Sequence, residues 1–257
     1  MALPRPPAHA PPPAGLSAAA ELPGTEPPPA CPAGQALAAV RAHVLADGYP
    51  CIMAASAARR GQLAAVAYGP IGDARTADRL AIDLAAFAAA PDPDRGYRSL
   101  VAVFARPGPA GEAAFEAALW QLLGALHRRD AAAWDASVSD DPASPSFSFS
   151  FAGRAFYVVG MHPAASRRAR RFAAPLLVFN LHAQFEQLRE EGRYGRVRDT
   201  IRGRDVAFDG SVNPMVTDFG EASDARQYSG RAVGDAWRCP FHARPDAHAD
   251  RTPPPRA

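Results

Sequence analysis

The stretch SFSFSFAGRAFYVVGM, residues 146–161, leaves the chain few choices of fold. Phe147, Phe149 and Phe151 alternate with serines, so an extended backbone puts all three rings on one face. AGR then turns the chain, and AFYVVGM runs back as a second strand. An isolated hairpin is marginal in water, so it needs further strands and a cover for its apolar face. Strand-like runs occur at QLAAVAYG (62–69), SLVAVFA (99–105) and PLLVFN (175–180). Cys51, just after Pro50, reads as the start of another strand.

Helical patterns lie between these runs. GQALAAVRAHVLAD (34–47) stops before Gly48 and Pro50. TADRLAIDLAAFAAA (76–90) opens on Thr76 as an N-cap. EAAFEAALWQLLGALHRRD (112–130) sets Phe115, Leu119, Leu122, Leu123 and Leu126 on one face. Its early Glu112 and Glu116 and late Arg128 and Arg129 suit the helix dipole. HAQFEQLREEG (182–192) is amphipathic and ends at Gly192. Arg167, Arg168, Arg170 and Arg171 are expected to open a helix, with 167, 170 and 171 on one face. The class these elements predict is α/β (α+β), a single domain with a mixed sheet flanked by helices.

The ends differ from the middle. Eleven of the 27 prolines fall in residues 1–34, beside Ala and Gly. Such a leader, 1–35, cannot bury enough apolar surface to offset its ordering and is expected to be disordered. A Pro- and Arg-rich tail, 244–257, reads the same way, which leaves 36–243 as the folded domain. After Asp205 the sequence turns loop-like for almost forty residues. Phe219, Tyr228, Trp237 and Phe241 give that stretch anchors, so it is expected to be a long ordered loop.

Composition removes several classes. No run of 18 apolar residues is present, so no membrane partner is expected. No charged segment leads into an apolar core at the N-terminus, so no secretory signal is expected. Three cysteines are no disulfide framework, and a reduced, cytoplasmic setting follows. A net charge of +2 gives little footing for nucleic acid. All 28 basic residues are arginine, beside abundant Ala and Pro. That pattern fits genomic base composition, so arginine number alone carries little functional weight.

Chemistry-bearing residues gather in two places, 162–182 and 209–242. His162 ends a strand-like run, and its imidazole suits a metal or haem ligand, a general base or a partnered core residue. Asn180 and His182 stand where a strand gives way to a helix, a common place for binding groups. Arg204 and Asp205 read as ties between the loop and the body. Cys51 and Cys239 are isolated thiols, which are usually small buried hydrophobes. Arg238 beside Cys239 is expected to lower that thiol's pKa. CxxC, HExxH, GxGxxG and Walker patterns are all absent.

The segments FSFSFAGRAFYVVGMHPAASRRARRF, PLLVFNLHAQFEQLREEGRY, IRGRDVAFDGSVNPMVTDFGEASDARQYSGRAV and WRCPF together resemble the YqcI/YcgG family. They look closest to its branch named for the haem-dependent N-hydroxylase of guanitoxin biosynthesis. YPCIMAASA and WDASVSDDP fit the same pattern, and the resemblance covers about residues 36–242. It implies a haem enzyme that takes O₂ as co-substrate and hydroxylates a nitrogen of a guanidine or amine. His162 is then the first choice for the iron ligand, with Cys51 and Cys239 as alternatives. Arg167 and Arg171 would pair with haem propionates. Arg167, Asn180 and Asn213 would serve the chemistry, and Asp218, Glu221 and Tyr228 the substrate. The implied partners are a small-molecule substrate and an electron donor; a homodimer stays open. Two other readings stay open as well: a haem- or small-ligand-binding protein without turnover, and an interaction domain whose Pro-rich leader docks partner modules.

Overall fold

The alternating stretch at 146–161 folds back on itself as expected. The structure, a computed structural model, describes residues 33–93, 96–216 and 220–243. The expectations for residues 1–32 and 244–257, and for Asp218 and Phe219, lie outside the described residues. Strand β3 (Phe149–Phe151) pairs antiparallel with β4 (Arg154–Met161). Ala152 and Gly153 connect them with φ of 52° and 71°. Two positive φ angles give the turn whose twist matches the strands, and glycine takes the second at no steric cost.

Three more strands complete the sheet. Strand β5 (Leu176–Leu181) lies antiparallel between β4 and β2 (Ser99–Phe104), and β1 (Leu63–Tyr68) runs parallel to β2. The order is β1-β2-β5-β4-β3. A parallel pair needs a crossover, and α3 (Ala74–Ala89) supplies it. Helices α1 (Ala33–Val44) and α2 (Ile52–Arg59) precede the sheet, and α4 (Gly111–Arg129) follows β2. Helices α5 (Ala183–Glu190), α6 (Tyr194–Asp209) and α7 (Ala225–Tyr228) follow β5. The mixed sheet flanked by helices is the class the sequence predicts.

Strand alternation builds two cores on one sheet. Leu100, Ala102, Phe104, Phe156, Val158 and Phe179 pack with α3 and α4. Val101, Val103, Met161 and Leu176 face α1 and α2. An aromatic cluster extends the first core. Trp120 of α4 stacks on Tyr228 of α7 at 5.6 Å, and Phe241 lies 6.0 Å from Phe147 and from Phe149. Gly160 of β4 sets how closely these elements approach. A Cβ there would sit 2.7 Å from Phe115 Cε1 and 2.9 Å from the Tyr228 carbonyl oxygen.

Several local expectations are corrected. Cys51 begins no strand. It is the N-cap of α2, because the alanines after Met53 favour helix. Helix α3 starts earlier than Thr76, capped by Asp73, whose carboxylate accepts from the Arg75 amide at 3.3 Å. The arginine cluster opens no helix; it makes a three-residue 3-10 turn, Arg168–Arg170. The loop expected after Asp205 is partly helical, since α6 runs on to Asp209 and α7 interrupts it. No helix among the described residues is long and apolar enough to cross a membrane.

Candidate functional site

The sheet face away from α4 is only partly filled. Between it, α1, α2, α5 and α6 lies a cavity of about 290 Å³, at the lower edge of the range for small-molecule sites. Its floor is apolar: Val101, Val159, Met161, Leu176 and Val178. The period of two along β4 and β5 puts these side chains on the cavity face and their neighbours in the opposite core. Polar groups stand around this floor.

Cys51 reaches the cavity from the start of α2, where its sulfur accepts a hydrogen bond from the Ala54 amide at 3.4 Å. Burial pushes its thiol pKa up, and the nearby Arg170 charge opposes that shift. His43 of α1 lines the cavity with its ring edge-on to Tyr49 (5.0 Å) and Phe172 (5.3 Å). Its Nε2 is buried with no partner, and burial lowers its pKa, which keeps the ring neutral. Arg170, on the 3-10 turn, is buried. It donates to the carbonyls of Gly160 (3.1 Å) and Gln227 (3.3 Å). No carboxylate among the described residues lies within ion-pair distance of it.

A second group fixes one wall. Arg167 donates to the Asp205 carboxylate at 2.9 Å and to the Ser211 carbonyl at 2.6 Å. The same Asp205 oxygen accepts from the Asn213 amide at 2.8 Å. Arg204 donates to the Tyr49 carbonyl at 2.9 Å. Asp205 and Arg167 thus tie the chain after α6 to the body, and Arg204 ties α6 itself to the segment before α2. Asn180 is held within the sheet: it accepts from Ser99 Oγ at 2.7 Å and donates to the Tyr157 carbonyl at 3.2 Å. His182 sits between Ser148 Oγ (3.0 Å) and Glu186 Oε1 (2.7 Å). Burial is the main influence on its pKa and lowers it; Glu186 opposes. Farther along, Gln227 of α7 donates to Asp224 Oδ1 at 2.9 Å, and burial raises the Asp224 pKa to about 6.

The structure thus brings Cys51, Arg167, Asn180, His182, Asp205 and Asn213 to one cavity. Other residues singled out in the sequence lie elsewhere. His162 follows β4 on the α4 side. It stacks on Phe115 at 4.4 Å, and neither ring nitrogen has a partner. Arg171 bonds the carbonyls of Ala165 and Ser166 at the exterior. Tyr228 is core: its hydroxyl donates to the Phe156 carbonyl and accepts from the Phe149 amide, each at 3.2 Å. Glu221 is exposed. Cys239 packs beside the first core, and its pKa is not lowered as expected but pushed up to about 12 by burial. Arg238 donates instead to the Asp235 and Trp237 carbonyls. His43 and Gln227 are cavity residues that the sequence reading does not select. His43 sits in an ordinary amphipathic helix, and nothing local marks it. No group of three or more His, Cys, Asp or Glu suited to a metal ion occurs among the described residues.

Fold and site define a class: an α/β domain with a polar-rimmed cavity on one face of a mixed sheet. The chain belongs to the YqcI/YcgG family, whose profile matches residues 40–242. It is 28% identical over 207 residues to the Bacillus subtilis (strain 168) "Uncharacterized protein YcgG", covering 76% of this chain and 81% of that one. It is 28% identical over 203 residues to "Uncharacterized protein YqcI" of the same organism, covering 75% and 80%. No solved structure matches the chain.

Proposed function

We propose that the chain is a haem-dependent oxygenase that hydroxylates a nitrogen of a guanidine- or amine-bearing small molecule, with the cavity as its site. The observation that carries this reading is the position of Cys51. Of His162, Cys51 and Cys239, only Cys51 lines the cavity. The donor set fits the group. The thiol stands at a helix start and accepts an amide hydrogen bond that opposes the upward push of burial on its pKa, and metal binding displaces the thiol proton. The floor is apolar, as a flat macrocycle requires. Arg170 is a buried guanidinium with no carboxylate partner among the described residues, and a propionate would match it. His162 fits less well, because Phe115, Leu119 and Tyr228 crowd the neighbouring Gly160.

A bound haem with a thiolate ligand supplies reductive activation of dioxygen. The chain's own residues do the rest. Arg170 holds an acidic group at the wall. The neutral His43 Nε2 can accept a hydrogen bond from a ligand in the cavity. The Arg167–Asp205–Asn213 network keeps the wall closed against water. Asn180 holds Tyr157 in register across β4 and β5. An electron donor and the substrate come from outside.

The test uses the full chain produced with haem supply. Wild type should show a Soret band and a ferrous-CO band of the thiolate kind, and should turn over guanidines or amines with O₂ and a reductant. Cys51→Ser should lose the thiolate-type band, while His162→Ala and Cys239→Ser keep it. If His162→Ala alone loses haem, the imidazole is the ligand. If no variant and no wild type takes up haem, the haem reading fails and the cavity belongs to a small-ligand-binding protein.

A further inference from the structure

One buried hydrogen-bond acceptor on the cavity wall lacks a donor, and the carboxylate beside it has a single neutral one. Asp224 has one side-chain bond, from the neutral Gln227 amide at 2.9 Å, and no ion pair among the described residues. Gln227 is 4% exposed, and its Oε1 is buried with no partner. The amide orientation follows from the carboxylate, which can only accept, so Nε2 faces Asp224 and Oε1 is left over. The other cavity carboxylate is different: Asp205 is neutralised by Arg167. A buried acceptor without a donor is costly, and an unpaired carboxylate more so.

The surroundings narrow what could satisfy them. Tyr157 and Phe185, whose rings lie 5.5 Å apart, line the same cavity with Tyr194. Aromatic faces favour a cation beside them. The Arg170 guanidinium reaches the Gln227 carbonyl at 3.3 Å, and the Arg189 charge bears on Asp224.

We infer that Asp224 and Gln227 receive the N–H groups of a guanidinium when a ligand fills the cavity. The inference rests on the reading of the cavity as the substrate site. A guanidinium carries parallel N–H donors in one plane, which suits a carboxylate and an amide oxygen side by side. The charged and titratable groups bearing on Asp224 are Arg189 of α5, Tyr157 of β4 and Tyr228 of its own helix. Both tyrosines are pushed up by burial and stay neutral. Guanidinium stays charged throughout; besides Asp224, His43 and His182 line the cavity, and burial lowers the pKa of both. Affinity should be full above pH about 6 and fall as pH drops through that value.

Calorimetric titration of the full chain with propylguanidine and with the uncharged isostere propylurea decides the matter. Near neutral pH the urea should bind roughly 10- to 100-fold more weakly, the factor for a charge-assisted hydrogen bond. Asp224→Asn keeps the bond to Gln227 and should reduce guanidine affinity to that of the urea, with no fall below pH about 6. Gln227→Met should weaken guanidine binding by roughly threefold or more, a lost neutral hydrogen bond; it carries the test if Asp224→Asn does not fold. Equal binding of guanidine and urea, no binding of either, or wild-type affinity in both variants overturns the inference. Guanidine binding as described in a chain without a Soret band keeps this site and removes the haem reading. A thiolate-type haem spectrum without guanidine preference removes this site alone.

Discussion

His162 keeps a buried imidazole, 1% exposed, stacked on Phe115 and unpartnered at both nitrogens. Burial is the main influence on its pKa and lowers it, with Glu112 opposing. His43 and His182 shift the same way. The unfolded chain therefore takes up protons just below pH 6.5 while the folded chain does not. Stability present above that value is lost as pH falls below it, down toward the lowered folded pKa values. Urea melts across this range should give a falling midpoint, with a shallower fall in His162→Leu. Identical pH profiles would mean His162 is not held neutral. That His162 has a special environment is legible in the sequence; its direction is not. Met161 and His162 are neighbours, and a period of two sends one to the cavity and the other to α4. Only the packing of α4 decides which.

Elements were legible in proportion to their apolar contrast. Helix α4 repeats its buried leucines at helical spacing, and the 149–161 hairpin alternates cleanly, so both are plain in the sequence. Helix α6, YGRVRDTIRGRDVAFD, is not: two glycines interrupt it, six residues are charged at 196–205 alone, and among its residues only Asp205 is buried. Tertiary contacts, not propensity, hold it, so its cavity residues were out of reach of a local reading. The two kinds of element should respond oppositely to alanine. Gly160→Ala drives a Cβ into Phe115 and the Tyr228 backbone; overpacking of this kind costs about 1–3 kcal/mol. A Cβ at Gly195, in α6, meets nothing within 4 Å, and Gly195→Ala should stabilise by about 0.5–1 kcal/mol. Denaturant midpoints check both. A neutral Gly160→Ala would mean that α4 shifts away freely.

At the scale of the whole molecule, one sheet serves two cores, and the chain after α6 crosses between them. Asn213, Asp224 and Gln227 line the cavity, while Tyr228 and Phe241 lie in the aromatic cluster on the other side. The step from one environment to the other is the single peptide bond between Gln227 and Tyr228. Tyr228 stacks on Trp120 at 5.6 Å with the ring planes 20° apart. The protein thus carries its own fluorophore one residue from the cavity wall. A ligand that moves Gln227 moves the partner of an indole, so titration with propylguanidine should change tryptophan emission without any added dye. Trp120→Phe should abolish that change, and Trp134→Phe, whose ring lies against Phe147 and Phe241 instead, should retain it. A signal surviving Trp120→Phe and lost in Trp134→Phe would route the optical coupling elsewhere.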